Sequence, residues 1–208
     1  MTAYSTNISN SQWQVISKFQ DSDRKRKYEL REVINAVLYL VKTGCQWRLL
    51  PADFPKWQIT FYYFNTWKKQ GIWKQIHDEL VKRTRKKAGR KASPTAGIID
   101  SQSVKGTFVS CQSKGYDAGK KIKGIKRHIL VDTMGLVLAV IIHSASIQDR
   151  GGAVLAIQCL KQKWKNIKII FADGGYMGAL IKDIKQQFKI TLEIIKRNEL
   201  HVFKILPK

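Results

Sequence analysis

The sequence predicts an α/β chain in two parts, a small all-α region followed by a mixed sheet with flanking helices. Apolar residues of the first part recur at helical spacing. After a dense basic stretch the texture turns to short β-branched runs bounded by turn residues. With 44% hydrophobic residues in 208, the chain holds enough apolar matter for packed cores. These changes of texture divide it into a helical part at 1–82, a basic linker at 83–96 and a sheet-bearing part at 97–208.

In the helical part, Tyr28 to Thr43 carries Leu30, Val33, Ile34, Val37, Leu38 and Val41 on one stripe. Gly44 supplies a stop, Lys42 suits the last turn, and Asp21, Ser22 and Asp23 offer caps upstream. Cys45 to Pro55, with Pro51 and Pro55, reads as a stiff connection. Lys56 to Gln70 then repeats aromatics at Trp57, Phe61, Phe64 and Trp67. Gly71 interrupts before Ile72, Trp73, Ile76 and Leu80. Three short helices with a stiff turn suit a helix-turn-helix-like DNA-binding unit, its aromatics packed inward. Arg48, Lys56, Lys68 and Lys69 are then the candidates for DNA contact.

The next stretch concentrates Lys82, Arg83, Arg85, Lys86, Lys87, Arg90 and Lys91 before Pro94. Such a run is either a solvated linker or a set of phosphate contacts.

Beyond it, Ile98 to Val104 reads as a strand. His128 to Asp132 and Leu136 to His143 form a hairpin with Gly135 in its turn. Asp149 is expected to cap a helix running to Trp164, and Ile167 to Asp173 is a fourth strand. Met177 to Gln187 is a second helix, and Thr191 to Ile195 a fifth strand. The order βββαβαβ is the ribonuclease H-like arrangement, in which strands one and four lie side by side and parallel. Asp100 on the first and Asp173 at the end of the fourth then become neighbours. Two carboxylates about 4.8 Å apart repel, and a divalent cation such as Mg²⁺ resolves the conflict. Each acid read singly is also an ordinary turn residue.

Between the first two strands, Gly115, Gly119 and Gly124 let backbone approach a phosphate while lysines supply charge. Lys105, Lys120, Lys121, Lys126 and Arg127 are the contact candidates here, the alternative being a mobile surface loop. His128 reads as a strand-edge hydrogen bonder, and Asp132 and Asp149 as turn and cap residues outside the catalytic set.

Net charge is +23, from 38 Lys and Arg against 15 Asp and Glu, which favours a polyanionic partner. The basic residues are scattered rather than gathered on one amphipathic helix, which disfavours a membrane surface. Cys45, Cys111 and Cys159 have neither zinc-ligand nor disulfide spacing. Residues 1–10 lack a signal-peptide centre, and the apolar run Met134 to Ile142 is too short to span a bilayer. The expectation is a soluble, cytoplasmic, basic protein.

The chain resembles the DDE transposases of bacterial insertion sequences, in the insertion sequence five and four group. The likeness rests on Arg31-Glu32-Val33-Ile34-Asn35-Ala36-Val37-Leu38-Tyr39 and on Gly44 to Pro55 in the front half. In the back half it rests on Ile99-Asp100-Ser101-Gln102-Ser103-Val104-Lys105, Gly115 to Lys121, Lys126 to Thr133 and Ala172-Asp173-Gly174-Gly175-Tyr176. The resemblance implies cleavage at the element's inverted-repeat ends and strand transfer into target DNA, with Mg²⁺ or Mn²⁺, by a homodimer associated with the bacterial nucleoid. It makes Asp100 and Asp173 the first two acids of a catalytic triad. In the family a glutamate on a helix after the fifth strand completes it. Here Glu193 falls within that strand, Glu199 follows shortly, and the sequence ends at Ile205-Leu206-Pro207-Lys208. The expectation is therefore a shortened transposase, impaired or inactive alone. The alternatives are a non-catalytic DNA-binding regulator of transposition and a ribonuclease H-like nuclease of repair or RNA processing. A basic RNA-binding protein ranks behind them, because it leaves the paired acids unexplained.

Overall fold

The computed structural model describes residues 4–20, 25–107 and 114–195, and the chain forms two compact units, Met1–Leu80 and Val81–Lys208.

The first unit is helical. Helix α1, Asn10–Ile16, is closed at its start by a capping box in which Ser9 and Gln12 satisfy each other's backbone N–H groups. Its signature, Ser9-x-x-Gln12, is legible in the sequence, although the helix is not among those predicted. Helix α2, Leu30–Thr43, follows the predicted stripe and buries Val33, Ile34, Ala36 and Val37. Gly44 ends it at φ 69°, the left-handed conformation that a residue without Cβ adopts at no steric cost. Glu29 stands at its N-cap position without a side-chain cap. The caps proposed at 21–23 lie outside the described residues. Helix α3, Trp57–Lys69, brings Trp67 into a core with Val33, Ile34 and Ile76. Trp67 and Trp73 meet edge to face at 5.3 Å, and Trp73 Nε1 donates to the Phe64 carbonyl at 3.1 Å. The aromatic stripe is therefore core at Trp67, while Phe61 and Tyr62 are exposed.

Helix α4, Ile72–Lys87, contains the division between units at Leu80/Val81. Residues 83–87, expected as linker, are its last turns. Val81 and Arg85, four residues apart and so on one helical face, are both buried.

The second unit is a six-stranded mixed sheet among the described residues. Its strands are β1 Ala96–Lys105, β2 Gly115–Asp117, β3 Ile122–Val131, β4 Val137–Ser144, β5 Ile169–Ala172 and β6 Thr191–Ile194. Helix α5, Asp149–Lys163, follows β4, and helix α6, Leu180–Phe188, follows β5. β1 pairs antiparallel with β3 and parallel with β5, β5 pairs parallel with β6, and β4 and β2 both pair with β3. This is the ribonuclease H-like sheet. Two details differ from expectation. Gly115–Asp117 is a short strand rather than loop, and β3 begins at Ile122 rather than His128, so the glycine-rich stretch is largely a tight hairpin. Gly124 lets β3 lie close against the end of β1, because a Cβ there would meet the Val104 carbonyl oxygen at 2.0 Å.

One face of the sheet carries the core. Ile99, Leu130 and Ala139 lie opposite one another across β1, β3 and β4, buried with Ala153, Ile157 and Leu160 of α5 and Ile184 of α6. Gly135 turns the β3–β4 hairpin at φ 78° as expected. No helix among the described residues is long and apolar enough to cross a membrane.

Candidate catalytic site

Strand pairing sets the two acids level. The parallel register of β1 and β5 runs through the pair Ile98–Phe171, and Asp100 and Asp173 each lie two residues further on. Since side chains alternate along a strand, Asp100 continues the phase of Ile98, opposite to that of the buried Ile99, while Asp173, one residue past the end of β5, opens a turn. Both are exposed, whereas Ile99 and Ala172 beside them are buried. Asp100 Oδ1 accepts from the Ser101 N–H at 2.7 Å. Asp173 Oδ1 accepts from the Gly175 N–H at 3.0 Å and so opens the turn Gly174–Tyr176. Among the described residues neither acid has a cationic partner within ion-pair distance.

Behind this pair, on the core side, lies a buried polar cluster. Ser101 faces His128, and Ser103 faces Lys126, across β1 and β3. Ser101 Oγ donates to Asp149 Oδ1 at 2.9 Å, and Ser103 Oγ donates to Asp117 Oδ2 at 2.5 Å. Lys126 Nζ, almost wholly buried, bridges Asp117 Oδ2 at 3.1 Å and Asp149 Oδ1 at 3.0 Å. Burial alone disfavours the ammonium, but its bonds to Asp149 and Asp117 outweigh this and raise its pKa. The Ser103 bond, the Lys120 N–H and Lys126 together hold Asp117 well below the usual carboxylate range. Burial pushes Asp149 up, and the Lys126 and Ser101 bonds bring it below its ordinary value. His128 is fully buried, and its Nδ1 lies 3.0 Å from His143 Nε2. Burial, then the charge of His143, lowers its pKa. Gly152 of α5 makes room for this pair, since a Cβ there would come within 2.2 Å of His128 Cε1.

The two acids could serve an oxygen-seeking divalent cation, because both are exposed, each lies two residues beyond the Ile98–Phe171 pair, and neither has an ion-pair partner among the described residues. No group of three or more His, Cys, Asp or Glu able to hold a metal occurs among the described residues. Two carboxylates could act as donors there, a set that would leave positions for water or phosphate oxygens. Glu193 lies on β6 opposite Phe171, as expected, and Glu199 is outside the described residues.

The predicted DNA contacts divide into two groups. Arg48, Lys56, Lys68, Lys69, Lys82, Arg83, Lys86, Lys87, Arg90, Lys91, Lys105, Lys120, Lys121 and Arg127 are exposed. Arg48 sits over the Trp57 ring at 5.5 Å, and Arg127 Nε donates to Gln102 Oε1 at 3.0 Å. Arg85 and Lys126 are corrections, since both are buried and spent on internal partners. Arg85 pairs with the fully buried Asp132 and donates from Nε to the Lys91 carbonyl at 2.9 Å. A cation enclosed with its counter-ion is not presented to a phosphate.

Asp149 is also corrected. Gln148 holds the N-cap position of α5, and the Asp149 side chain turns to Ser101 and Lys126 instead. His128 is a buried partner of His143 rather than an edge group. Strand parity carried a signal for both basic residues of β3, because Lys126 and His128 share the phase of the core residue Leu130.

Residues 8–77 match the family model described as "Putative transposase of IS4/5 family". Residues 91–204 match the model described as the transposase DDE domain. No curated protein matches the chain. Among solved structures, a piggyBac transposase synaptic complex with hairpin DNA is similar at 13% identity and TM-score 0.37, over 97% of this chain and 45% of that one. The Mos1 strand transfer complex is similar at 10% identity and TM-score 0.28, over 84% of this chain and 60% of that one. The chain thus spans about half the length of these relatives.

Proposed function

We propose, since this chain belongs to the IS4/5 group of DDE transposases, that it binds the inverted-repeat ends of an insertion sequence and cuts and joins DNA there. The observation that carries this reading is the pair Asp100 and Asp173, two residues beyond a parallel strand pair and without an ion-pair partner among the described residues, in a chain of net charge +23. Asp100 and Asp173 would hold Mg²⁺ or Mn²⁺, which supplies activation of the attacking oxygen and stabilisation of the leaving one. Strand β1 and the Asp173 turn fix the two carboxylates, so little reorganisation is needed when substrate arrives.

The exposed cations supply the second part of the reading. Lys105, Lys120, Lys121 and Arg127 lie on or beside the strands that carry Asp100, where they would steer and seat the phosphate backbone. In the helical unit, Arg48, Lys56, Lys68 and Lys69 are the proposed contacts to the terminal repeats. Lys82, Arg83, Lys86, Lys87, Arg90 and Lys91 would add sequence-independent affinity. Double-stranded DNA in the nucleoid is the partner, and two copies acting on two ends form the working unit.

A nicking assay on element-end duplex, with the 208-residue chain and Mg²⁺ or Mn²⁺, tests the reading. End-specific, metal-dependent nicking lost in Asp100→Asn supports it. Nicking that persists in Asp100→Asn and Asp173→Asn overturns it. End binding without nicking in either metal would instead assign this chain the role of a DNA-binding regulator.

A further inference from the structure

Asp149 makes contacts that its place at the head of α5 does not require. It leaves capping to Gln148, whose side chain makes no cap bond. Its Oδ1 is fully engaged, accepting from Ser101 Oγ at 2.9 Å and from Lys126 Nζ at 3.0 Å. Its Oδ2 is left toward the Asp173 turn. A Cβ added at Gly175 would lie 4.0 Å from Asp149 Oδ2 and 3.1 Å from Asp173 Oδ1. The Gly175 position therefore lies between the two carboxylates.

A second observation points the same way. Tyr176, 1% exposed, has its hydroxyl buried without a hydrogen-bond partner. A buried donor left unpaired is unfavourable, because it has given up water without a replacement. Burial, with the charges of Asp149, Asp100 and Asp173, pushes its ionisation well above the ordinary tyrosine value, despite the opposing effect of Ser101. The group is thus a protonated donor that feels the charges of Asp149, Asp100 and Asp173. Its ring is fixed edge-on against His128 at 6.2 Å.

We propose that Asp149 is a positioning residue of the cation site, whose Oδ2 accepts a hydrogen bond from water on a divalent ion held by Asp100 and Asp173. Lys126 and Ser101 fix the carboxylate so that one oxygen remains for this task. Ser101 also follows Asp100 directly, so a single bond ties Asp149 to the strand that presents the first acid. The Tyr176 hydroxyl, unpartnered in the structure, is the donor that would be satisfied when the site is filled. Outer partners of this kind commonly change metal affinity 10–100-fold, a scale on the order of that expected here. The inference rests on the reading of Asp100 and Asp173 above and extends the site to a residue from a third element.

Mn²⁺ titration of the full chain, followed by the electron paramagnetic resonance signal of free Mn²⁺, tests it alongside thermal melts. Asp149→Asn should weaken Mn²⁺ binding about 10–100-fold. Tyr176→Phe should weaken it about threefold, the scale of one net hydrogen bond. Asp149→Glu keeps the charge beside Lys126 but moves the oxygens, and should weaken binding with little change in melting. If Asp149 only neutralises Lys126, Asp149→Asn will lower the melting temperature and leave Mn²⁺ affinity unchanged. That result, or unchanged affinity in Asp149→Glu, overturns the inference. Asp100→Asn and Asp173→Asn serve as the separate control. If they retain wild-type Mn²⁺ binding, the underlying reading of the acid pair fails; if they lose it while both Asp149 variants keep it, only this inference fails.

Discussion

Asp132 and Asp173 follow the ends of β3 and β5, and each accepts backbone N–H bonds from the turn it opens. Asp132 Oδ1 takes Met134 N at 2.8 Å and Leu136 N at 2.9 Å, and Asp173 Oδ1 takes Gly175 N at 3.0 Å. Their fates differ. Asp132 is fully buried and paired with Arg85, whereas Asp173 is exposed, level with Asp100 and without a cationic partner among the described residues. Local turn chemistry is the same at both places, so it does not decide the role. What decides it is whether the fold brings a cation from elsewhere in the chain. α4 delivers Arg85 to one acid, and the strand register delivers a second carboxylate to the other.

Breaking the compensated side should have the largest effect. Arg85→Ala or Asp132→Ala leaves a buried charge alone and should cost about 3–5 kcal/mol in urea unfolding. Loss below about 1 kcal/mol would mean that water reaches the pair. Lys126→Ala strands Asp117 and Asp149 together and belongs to the same class. A pure drop in DNA affinity with unchanged stability there would restore Lys126 to the phosphate contacts.

The uncompensated side should respond in the opposite sense. Asp100→Asn or Asp173→Asn should lower metal-dependent nicking by about 10²–10³-fold or more, the scale of losing one preorganised electrostatic group. Stability should stay within about 0.5 kcal/mol, as for other exposed substitutions. DNA affinity, read by fluorescence anisotropy, should hold or rise slightly as negative charge is removed. Joint loss of folding and binding would make these side chains structural.

Acid sharpens the comparison further. The folded state lowers the pKa of His128, so the neutral form is favoured there. The unfolded chain takes up that proton near pH ~6.5. The stability contributed is present above that value and is lost as pH falls toward the folded value. The unfolding midpoint should thus be lower at pH 5.5 than at pH 7.5. An equal midpoint would place the His128–His143 pair in contact with solvent.

The smallest effect belongs to the exposed cations. Changing Lys86, Lys87 or Arg90 to Gln should reduce the salt slope of DNA binding by about 0.9 for each phosphate contact removed. An unchanged slope would leave these residues as solvated surface.

The same contrast explains what was legible in the sequence. The strand-end acids, the Gly135 hairpin, the α2 stripe with its Gly44 stop and the alternation of helix and strand after β4 all rest on local pattern. Strand β2 did not, because three residues beginning with glycine carry no period, and its anchor Asp117 depends on Ser103 and Lys126. Arg85 and Lys126 were misjudged for a related reason. In a chain with 38 basic residues, a cation that pairs internally looks like any other until its partner is known. Phase was the available signal, since Arg85 follows Val81 by four residues and Lys126 precedes Leu130 by four along a strand. Asp149 reads as a cap from its neighbours, and only its Ser101 and Lys126 bonds, distant in sequence, show otherwise.

One measurement addresses the central claim most directly. Fe²⁺ bound in place of Mg²⁺ reduces added hydrogen peroxide to hydroxyl radical and hydroxide, ascorbate regenerates the Fe²⁺, and the radicals cut the chain beside whatever holds the iron. The account predicts paired cuts near residues 100 and 173, both suppressed by excess Mg²⁺ and both absent when either aspartate becomes asparagine. Cutting near one residue alone, or a pattern indifferent to Mg²⁺, would contradict it.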